Sequence, residues 1–123
     1  TAPLATYKQS NGYLAEDLLQ SGLHHYEASK VLLNSSPAFF DSGGYILHLA
    51  IELMLKSWIF HLNGEFDGTH CLQHLRQTLI ESGTKLSFTR EENKLLEHFD
   101  RLYELISEQK KANGDRIGRT DAG

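Results

Sequence analysis

The feature that most constrains this chain is a long apolar segment, Tyr45 to Leu62, that contains no proline. The ionisable side chains at its centre, His48, Glu52 and Lys56, recur every four residues and therefore form one line along a helix. Because most of the remaining circumference is apolar, we expect this helix at the centre of a bundle or at a subunit interface. The charges near its middle argue against a membrane span.

Helical spacing of apolar residues also recurs on both sides of this segment. It predicts helices over residues 11–34, from about 42 to 62, over 70–82 and from 90 onward. The two prolines, Pro3 and Pro37, lie outside these stretches. Gly22 falls inside the first helix, where the absence of a side chain favours close packing by a neighbour.

Helix ends are marked by capping residues. Asp41 or Ser42 is predicted to cap the second helix and Thr69 the third, while Thr89 and Glu92 form a capping-box pattern for the fourth. The dipeptide Asn63-Gly64 and the single residue Gly83 are predicted stops, because both tolerate left-handed geometry.

These elements predict an all-α fold, an up-and-down bundle of four to five helices within residues 1–111. Residues 65–68 are predicted to be a polar loop, and no segment has the alternation typical of a strand. Leu72, Leu75, Leu79 and Ile80 are predicted to face inward from the third helix. Residues 112–123 are polar and contain glycine, so we expect a flexible tail there.

The composition of the chain limits the functions and cellular locations that we expect for it. The formal net charge is -4 and both halves of the chain are acidic, which argues against nonspecific binding of duplex DNA. Cys71 is the single cysteine, so no intrachain disulfide forms and a reducing compartment fits. The sequence has no secretory signal pattern. We therefore expect a cytoplasmic protein without membrane contact.

Several groups of residues are candidate sites. The line His48, Glu52, Lys56 reads either as a solvated stripe with a helical ion pair or as a polar line facing a cleft. His70 and His74 share a helix face, as metal ligands do, but the carboxylate of a zinc-protease pattern is missing. We expect neither a metal nor a cofactor, and we expect Cys71 to be a small buried residue rather than a nucleophile.

Two stretches resemble signatures of the HEPN domain family. The first, Ala50-Ile51-Glu52-Leu53-Met54-Leu55-Lys56, resembles the family's A-x-E-x-x-L-K pattern, and the second, Thr69 to Leu75, resembles H-x-L-x-x-L. The resemblance covers roughly residues 11–107. It implies a bundle of four or five helices that commonly dimerises, and it carries over Glu52, Lys56 and His70 as ligand- or partner-binding positions. His48 joins them as a candidate because it lies on the same polar line of the helix.

The resemblance also implies a range of functions. Many family members are RNA-cleaving toxins with an Arg, four to six residues and then a His; others bind RNA, nucleotides or nucleotidyltransferase-type proteins. Here Arg90 and His98 have seven residues between them, so the ribonuclease pattern is missing. Our leading hypothesis is a homodimeric, non-catalytic module that binds RNA, a nucleotide or a nucleotidyltransferase-type partner.

Two alternatives stay open. The first is a metal-independent endoribonuclease with a rearranged site, for which His98 and Arg101 are the catalytic pair to test because residues i and i+3 share a helix face. The second is a pure protein-interaction or regulatory subunit of a two-gene system of the toxin–antitoxin type, which the acidic net charge favours.

Overall fold

A computed structural model of the chain describes residues 4–9, 12, 14–85 and 87–122, apart from the side chains of residues 110 and 114–122. Its elements in chain order are β1 (Thr6–Lys8), α1 (Ala15–Leu33), α2 (Phe40–Asn63), β2 (Glu65–Asp67), α3 (Leu72–Glu81) and α4 (Arg90–Ala122). The all-α bundle predicted from the sequence is confirmed. The predicted start of the first helix at Asn11 lies outside the described residues.

The helices α1 and α2 form a closely packed hairpin. A side chain on Gly22 of α1 would begin only 3.0 Å from Met54 Cγ and 3.2 Å from the carbonyl oxygen of Ala50, both on α2. Near the other end of the pair, the Ser57 hydroxyl donates a hydrogen bond of 2.7 Å to the Ala15 carbonyl. Gly22 therefore permits the close approach that the sequence predicted.

The hydrophobic core lies where α2, α3 and α4 meet. Leu72, Leu75 and Leu79 of α3 are at most 1% exposed, because their spacing puts them on one helix face. Ile80 was predicted to face inward but is 38% exposed, since it lies one residue, about 100°, beyond Leu79. The buried cluster comprises Leu55, Ile59, Phe60, Phe66, Leu72, Leu75, Leu79 and Leu96.

A two-stranded antiparallel sheet closes one end of the bundle, where the sequence analysis predicted a loop. β1 pairs with β2, with Tyr7 opposite Phe66. Their rings stack with centroids 5.1 Å apart, and Phe66 is buried in the core. The prediction of no strands was wrong because three-residue strands are too short to display alternation.

Several predicted helix ends are confirmed. Gly64 ends α2 in the left-handed region at φ 72°, and Gly83 follows α3 at φ 83°. The Thr89 hydroxyl accepts from the Glu92 amide at 3.1 Å while the Glu92 carboxylate accepts from the Thr89 amide at 3.0 Å, so the capping box before α4 is complete.

Two predicted caps were wrong. Asp41 and Ser42 do not cap α2, because the helix begins earlier, at Phe40, and both residues lie within its first turn. Thr69 does not cap α3, which begins at Leu72; its hydroxyl instead accepts from the Cys71 amide at 3.1 Å. The cap of α3 comes from a distant residue, described below.

Helix α4 continues through Ala122, whereas the sequence analysis ended the bundle at residue 111 and expected a polar tail. The extension contains no proline and only single glycines, so nothing in it blocks a helix already growing from residue 90. The backbone of residues 112–122 is therefore helical. Its flexibility and its separateness from the bundle stay predictions.

Helix α2 occupies the centre of the bundle. Among the described residues it is the one helix that passes a length and hydropathy test for a membrane span, with a mean hydropathy of 1.2. However, 44% of that window is buried inside the protein. A buried central helix has the same properties, and the contacts of α2 with α1, α3 and α4 place it at the centre of the bundle.

Candidate functional site

The polar line of α2 is buried rather than solvated. His48 is 1% exposed, Glu52 3% and Lys56 6%, and the carboxylate of Asp100 on α4 joins them at 7%. We call these four residues the polar seam. The solvated-stripe interpretation was wrong because α3 and α4 pack over this side of α2. Apolar periodicity indicates which faces pair but not which polar residues lie between them.

Glu52 joins three elements at the centre of the polar seam. Its Oε2 accepts a hydrogen bond of 2.8 Å from Lys56 Nζ. The Nδ1 atom of His70, in the segment leading into α3, lies 3.1 Å from both carboxylate oxygens. The charge of Glu52 is therefore compensated by one ammonium group and one imidazole, as a buried carboxylate requires.

Asp100 caps helix α3 from the middle of α4. Its Oδ1 accepts from the Leu72 amide at 2.7 Å, and its Oδ2 accepts from the Gln73 amide at 3.1 Å. These are amides of the first turn, which have no partner inside their own helix. Burial raises the pKa of Asp100, but these two bonds and the one from His48 outweigh it and hold that pKa below its usual value.

His48 lies between the two carboxylates of the polar seam. Its Nε2 is 3.0 Å from Asp100 Oδ1, and its Nδ1 is 3.8 Å from Glu52 Oε1, beyond hydrogen-bond distance. Burial lowers the pKa of His48 and outweighs the attraction of both carboxylates. The ring is therefore neutral at neutral pH, with Nε2 donating to Asp100.

An aromatic stack covers one end of the polar seam. The ring of Tyr103 lies 4.3 Å from that of His48, 5.1 Å from that of Tyr45 and 5.3 Å from that of His70, measured between centroids. Burial, reinforced by Tyr45 and Glu52, raises the pKa of Tyr103 to about 12. Tyr103 is therefore a neutral phenol at any physiological pH.

The remaining candidates do not form a reactive or metal-binding group. The Cys71 thiol lies 3.5 Å from Asp100 Oδ2, and partial burial raises its pKa, so it stays protonated. The residue itself is exposed, contrary to the sequence prediction. His74 contacts Asp67 at 3.3 Å rather than converging with His70. Within the described part of the chain, no group of three or more metal-ligating side chains assembles.

His98 and Arg101 lie away from the polar seam. Both are exposed, and the Arg101 guanidinium contacts Glu97 at 3.4 Å. At about 100° per residue, this pair lies nearly opposite Asp100 and Tyr103 on α4. The structure therefore separates the two predicted catalytic candidates from His48, Glu52 and Lys56.

Sequence analysis missed Asp100, although the signal was present. Leu96, Phe99 and Tyr103 form an apolar stripe, and Asp100 falls within it at the four-residue step from Leu96. A carboxylate on a face that must be buried requires donors. What the sequence could not reveal is that those donors are the first amides of α3.

His70 is the part of this arrangement that reaches solvent. Its side chain is 57% exposed, whereas the side chains of His48, Glu52, Lys56 and Asp100 are at most 9% exposed. Glu52 engages Nδ1, which leaves Nε2 as the ring atom with which His70 can contact a ligand. The geometry offers one fixed, exposed imidazole beside half-buried aromatic rings, and a buried network that holds it in place.

Comparison with known proteins gives one match. Residues 15–117 match the family model described as the HEPN domain, which spans all four helices. No curated protein and no solved structure matches the chain.

Proposed function

The chain belongs to the HEPN family, and from this premise we propose that it is a non-catalytic module that binds RNA at the surface around His70. The observation that supports this proposal most directly is that Glu52 holds an exposed His70, while the four residues of the polar seam are buried and paired. A ligand can reach the imidazole and the neighbouring rings but not the buried carboxylates.

The chemistry of this surface suits a single-stranded region. An imidazole donates a hydrogen bond to phosphate oxygens. The half-buried ring of Tyr103 lies beside His70, with Tyr45 stacked on Tyr103, and these rings can contact a base. Because the chain has a net charge of -4 and the contact relies on one imidazole, we expect few phosphate contacts and low affinity.

The absence of catalysis rests on two arguments. The spacing between Arg90 and His98 departs from the ribonuclease pattern of the family. Three groups close to this surface are poorly placed to act as a general base: His48 is buried, while Cys71 and Tyr103 keep their protons at neutral pH.

The test is a titration of labelled RNA with single-stranded loops, read on native and denaturing gels at two salt concentrations. We expect a shift without cleavage and a plot of log affinity against log salt with a slope of about −1, as for one or two phosphate contacts. His70→Ala should weaken binding about fivefold or more. His24→Ala, which removes an exposed histidine of α1, is the matched control and should leave binding unchanged.

The other outcomes decide between the remaining functions. Binding that is indifferent to His70→Ala would contradict the proposal. Cleavage that disappears in His98→Ala or Arg101→Ala would establish the endoribonuclease with a rearranged site. Displacement of bound RNA by a free mononucleotide would indicate a nucleotide-binding site. A chain that binds no RNA but co-purifies with a nucleotidyltransferase-type protein would favour the regulatory subunit. In every case we propose a cytoplasmic location.

A further inference from the structure

The contact between Glu52 and His70 fixes which ring nitrogen of the imidazole carries the proton. Nδ1 of His70 lies 3.1 Å from both carboxylate oxygens of Glu52, and Oε2 also accepts from Lys56 Nζ at 2.8 Å. An ionised carboxylate accepts hydrogen bonds and donates none, so Nδ1 carries the hydrogen. The neutral ring then has no hydrogen on Nε2, and this nitrogen is a hydrogen-bond acceptor.

The exposed edge of His70 therefore selects among the groups of a ligand. The His70 side chain is 57% exposed and that of Glu52 only 5%, so a ligand meets the imidazole and not the carboxylate. The lone pair on Nε2 attracts an O–H or N–H donor and repels a phosphate oxygen, which is itself an acceptor. Donation from Nε2 to a phosphate requires a second proton on the ring. The neutral form of the site consequently favours donor groups.

The ribose 2′-hydroxyl is the donor of a single-stranded nucleic acid that suits this acceptor best. One ring nitrogen makes one hydrogen bond, whereas base edges are recognised by paired contacts. Amino groups of the bases occur in RNA and DNA alike, but the 2′-hydroxyl occurs in RNA alone and can donate. An acceptor held at a fixed position is therefore a sequence-independent means of distinguishing the two nucleic acids.

We propose that His70 determines specificity for RNA over DNA by accepting a hydrogen bond at Nε2 from a ribose 2′-hydroxyl, and that Glu52 is its positioning residue. Glu52 acts without touching the nucleic acid, because it decides which ring nitrogen keeps the lone pair. This inference rests on the proposed RNA-binding function and adds the chemical group that the site recognises.

The first experiment reads the position of the proton directly, by nitrogen NMR of the full chain with isotope-labelled histidine at about pH 8, above the usual titration range of histidine. His25 is an internal reference, because its Nδ1 lies 2.7 Å from the Ser21 carbonyl oxygen, which also only accepts. We expect both rings to be protonated on Nδ1 and unprotonated on Nε2. A neutral His70 that carries its hydrogen on Nε2 would overturn the proposal.

The variant Glu52→Gln should move the proton of His70 while it keeps the shape of the site. The buried ammonium group of Lys56 requires an acceptor and engages the amide oxygen, which leaves the amide N–H groups facing Nδ1. Nδ1 becomes the acceptor and Nε2 gains the hydrogen, a change that NMR detects at His70 and not at His25. Glu97→Gln, at an exposed carboxylate of α4, is the matched control.

The second experiment compares the affinities of one single-stranded sequence in three forms: RNA, DNA with the same bases, and RNA with fluorine in place of each 2′-hydroxyl. We expect RNA to bind about fivefold or more tightly than either analogue, because neither offers the donor. Glu52→Gln and His70→Ala should bring these ratios close to one, and Glu97→Gln should leave them unchanged. His70→Ala alters an exposed side chain and gives the answer if Glu52→Gln unfolds.

The outcomes separate this inference from the function on which it rests. Equal binding of all three forms, each weakened by His70→Ala, would overturn the inference and leave nucleic-acid binding at His70 intact. A preference for RNA that survives in both His70→Ala and Glu52→Gln would mean that another group recognises the hydroxyl, and would also overturn it. A chain that binds none of the three forms would contradict the RNA-binding function and this inference together.

Discussion

The polar seam and the apolar groove between α1 and α2 lie on two sides of one helix. On these two sides the usual burial of apolar residues and exposure of polar residues is reversed. On the side of α2 that faces α3 and α4, His48, Glu52 and Lys56 are buried. On the side that faces α1, the bulky apolar Trp58 is 41% exposed. Ionisable groups are therefore buried beside the hydrophobic core on one side of α2, while a large apolar side chain is partly exposed on the other.

The comparison teaches that residue type alone does not identify a functional site. Glu52 and Lys56 belong to a family-like motif and would be natural candidates for chemistry, yet each has a partner inside the protein. Buried charges of this kind fix the arrangement of elements, because only one packing satisfies all of them.

The largest effect that separates the two regions is expected at Asp100. Asp100→Ala removes the cap of α3 and the partner of His48, and leaves the Leu72 and Gln73 amides without an acceptor. We expect a loss of about 3 kcal/mol in the free energy of unfolding, measured by urea denaturation. Leu23→Ser, at an exposed position of α1, should lower the free energy of unfolding by less than about 1 kcal/mol.

A control on the same helix sharpens this result. Glu97→Ala removes a carboxylate from the exposed side of α4, where it contacts only Arg101. Its cost should lie within about 0.5 kcal/mol. Equal losses for Asp100→Ala and Glu97→Ala would mean that the polar seam contributes no more than the surface does.

A second, smaller effect is expected from the pair at the centre of the polar seam. Lys56→Met leaves Glu52 buried with only His70 to compensate it, and should cost about 2 kcal/mol. Adding Glu52→Gln removes the stranded charge, so the double variant should be more stable than the sum of the single losses by about 1 kcal/mol or more. Additive losses in this double-mutant cycle would contradict the coupling.

The smallest expected effect is a pH dependence of stability that originates in the polar seam. Burial lowers the pKa of His48 in the folded protein below its ordinary value of 6.5, so below that pH the unfolded chain binds more protons. Acidification from pH 7 to pH 5 should therefore destabilise the fold. Asp100, whose pKa is lowered from 3.8, adds a further loss at more acidic pH.

His48→Gln should flatten the first part of this dependence, as measured by unfolding at a series of pH values. His24→Gln, at an exposed position of α1, should leave the curve unchanged. A wild-type stability that rises as the pH falls from 7 to 5 would mean that the two carboxylates outweigh burial and that His48 is protonated in the folded state.

The sequence predicted much of this fold because its signals are local. Gly64, Gly83 and the Thr89–Glu92 box act within a few residues of where they stand, and each was placed correctly. The apolar circumference of the segment 45–62 likewise predicted a helix at the centre of the bundle or at an interface. Features that depend on distant partners were missed.

Asp100 illustrates what local signals omit. Its acceptor atoms meet amides 27 and 28 residues away, and no pattern within α4 identifies those amides. The same holds for β1 and β2, whose pairing joins residues far apart in the sequence, such as Thr6 and Asp67. The candidate site was therefore half predicted: His70 and the Glu52–Lys56 ion pair were named, but the burial of that pair and its contact with His70 were not.

The most direct test of the polar seam as an architectural element is amide hydrogen exchange in the wild type and in Asp100→Ala. The account predicts that the Leu72 and Gln73 amides are protected in the wild type. It predicts that the variant loses about tenfold more protection at these two amides than at Leu79, which reports the general loss of stability within the same helix. A parallel change at all three amides, or no protection of Leu72 and Gln73 in the wild type, would contradict the claim that Asp100 holds α3 in place.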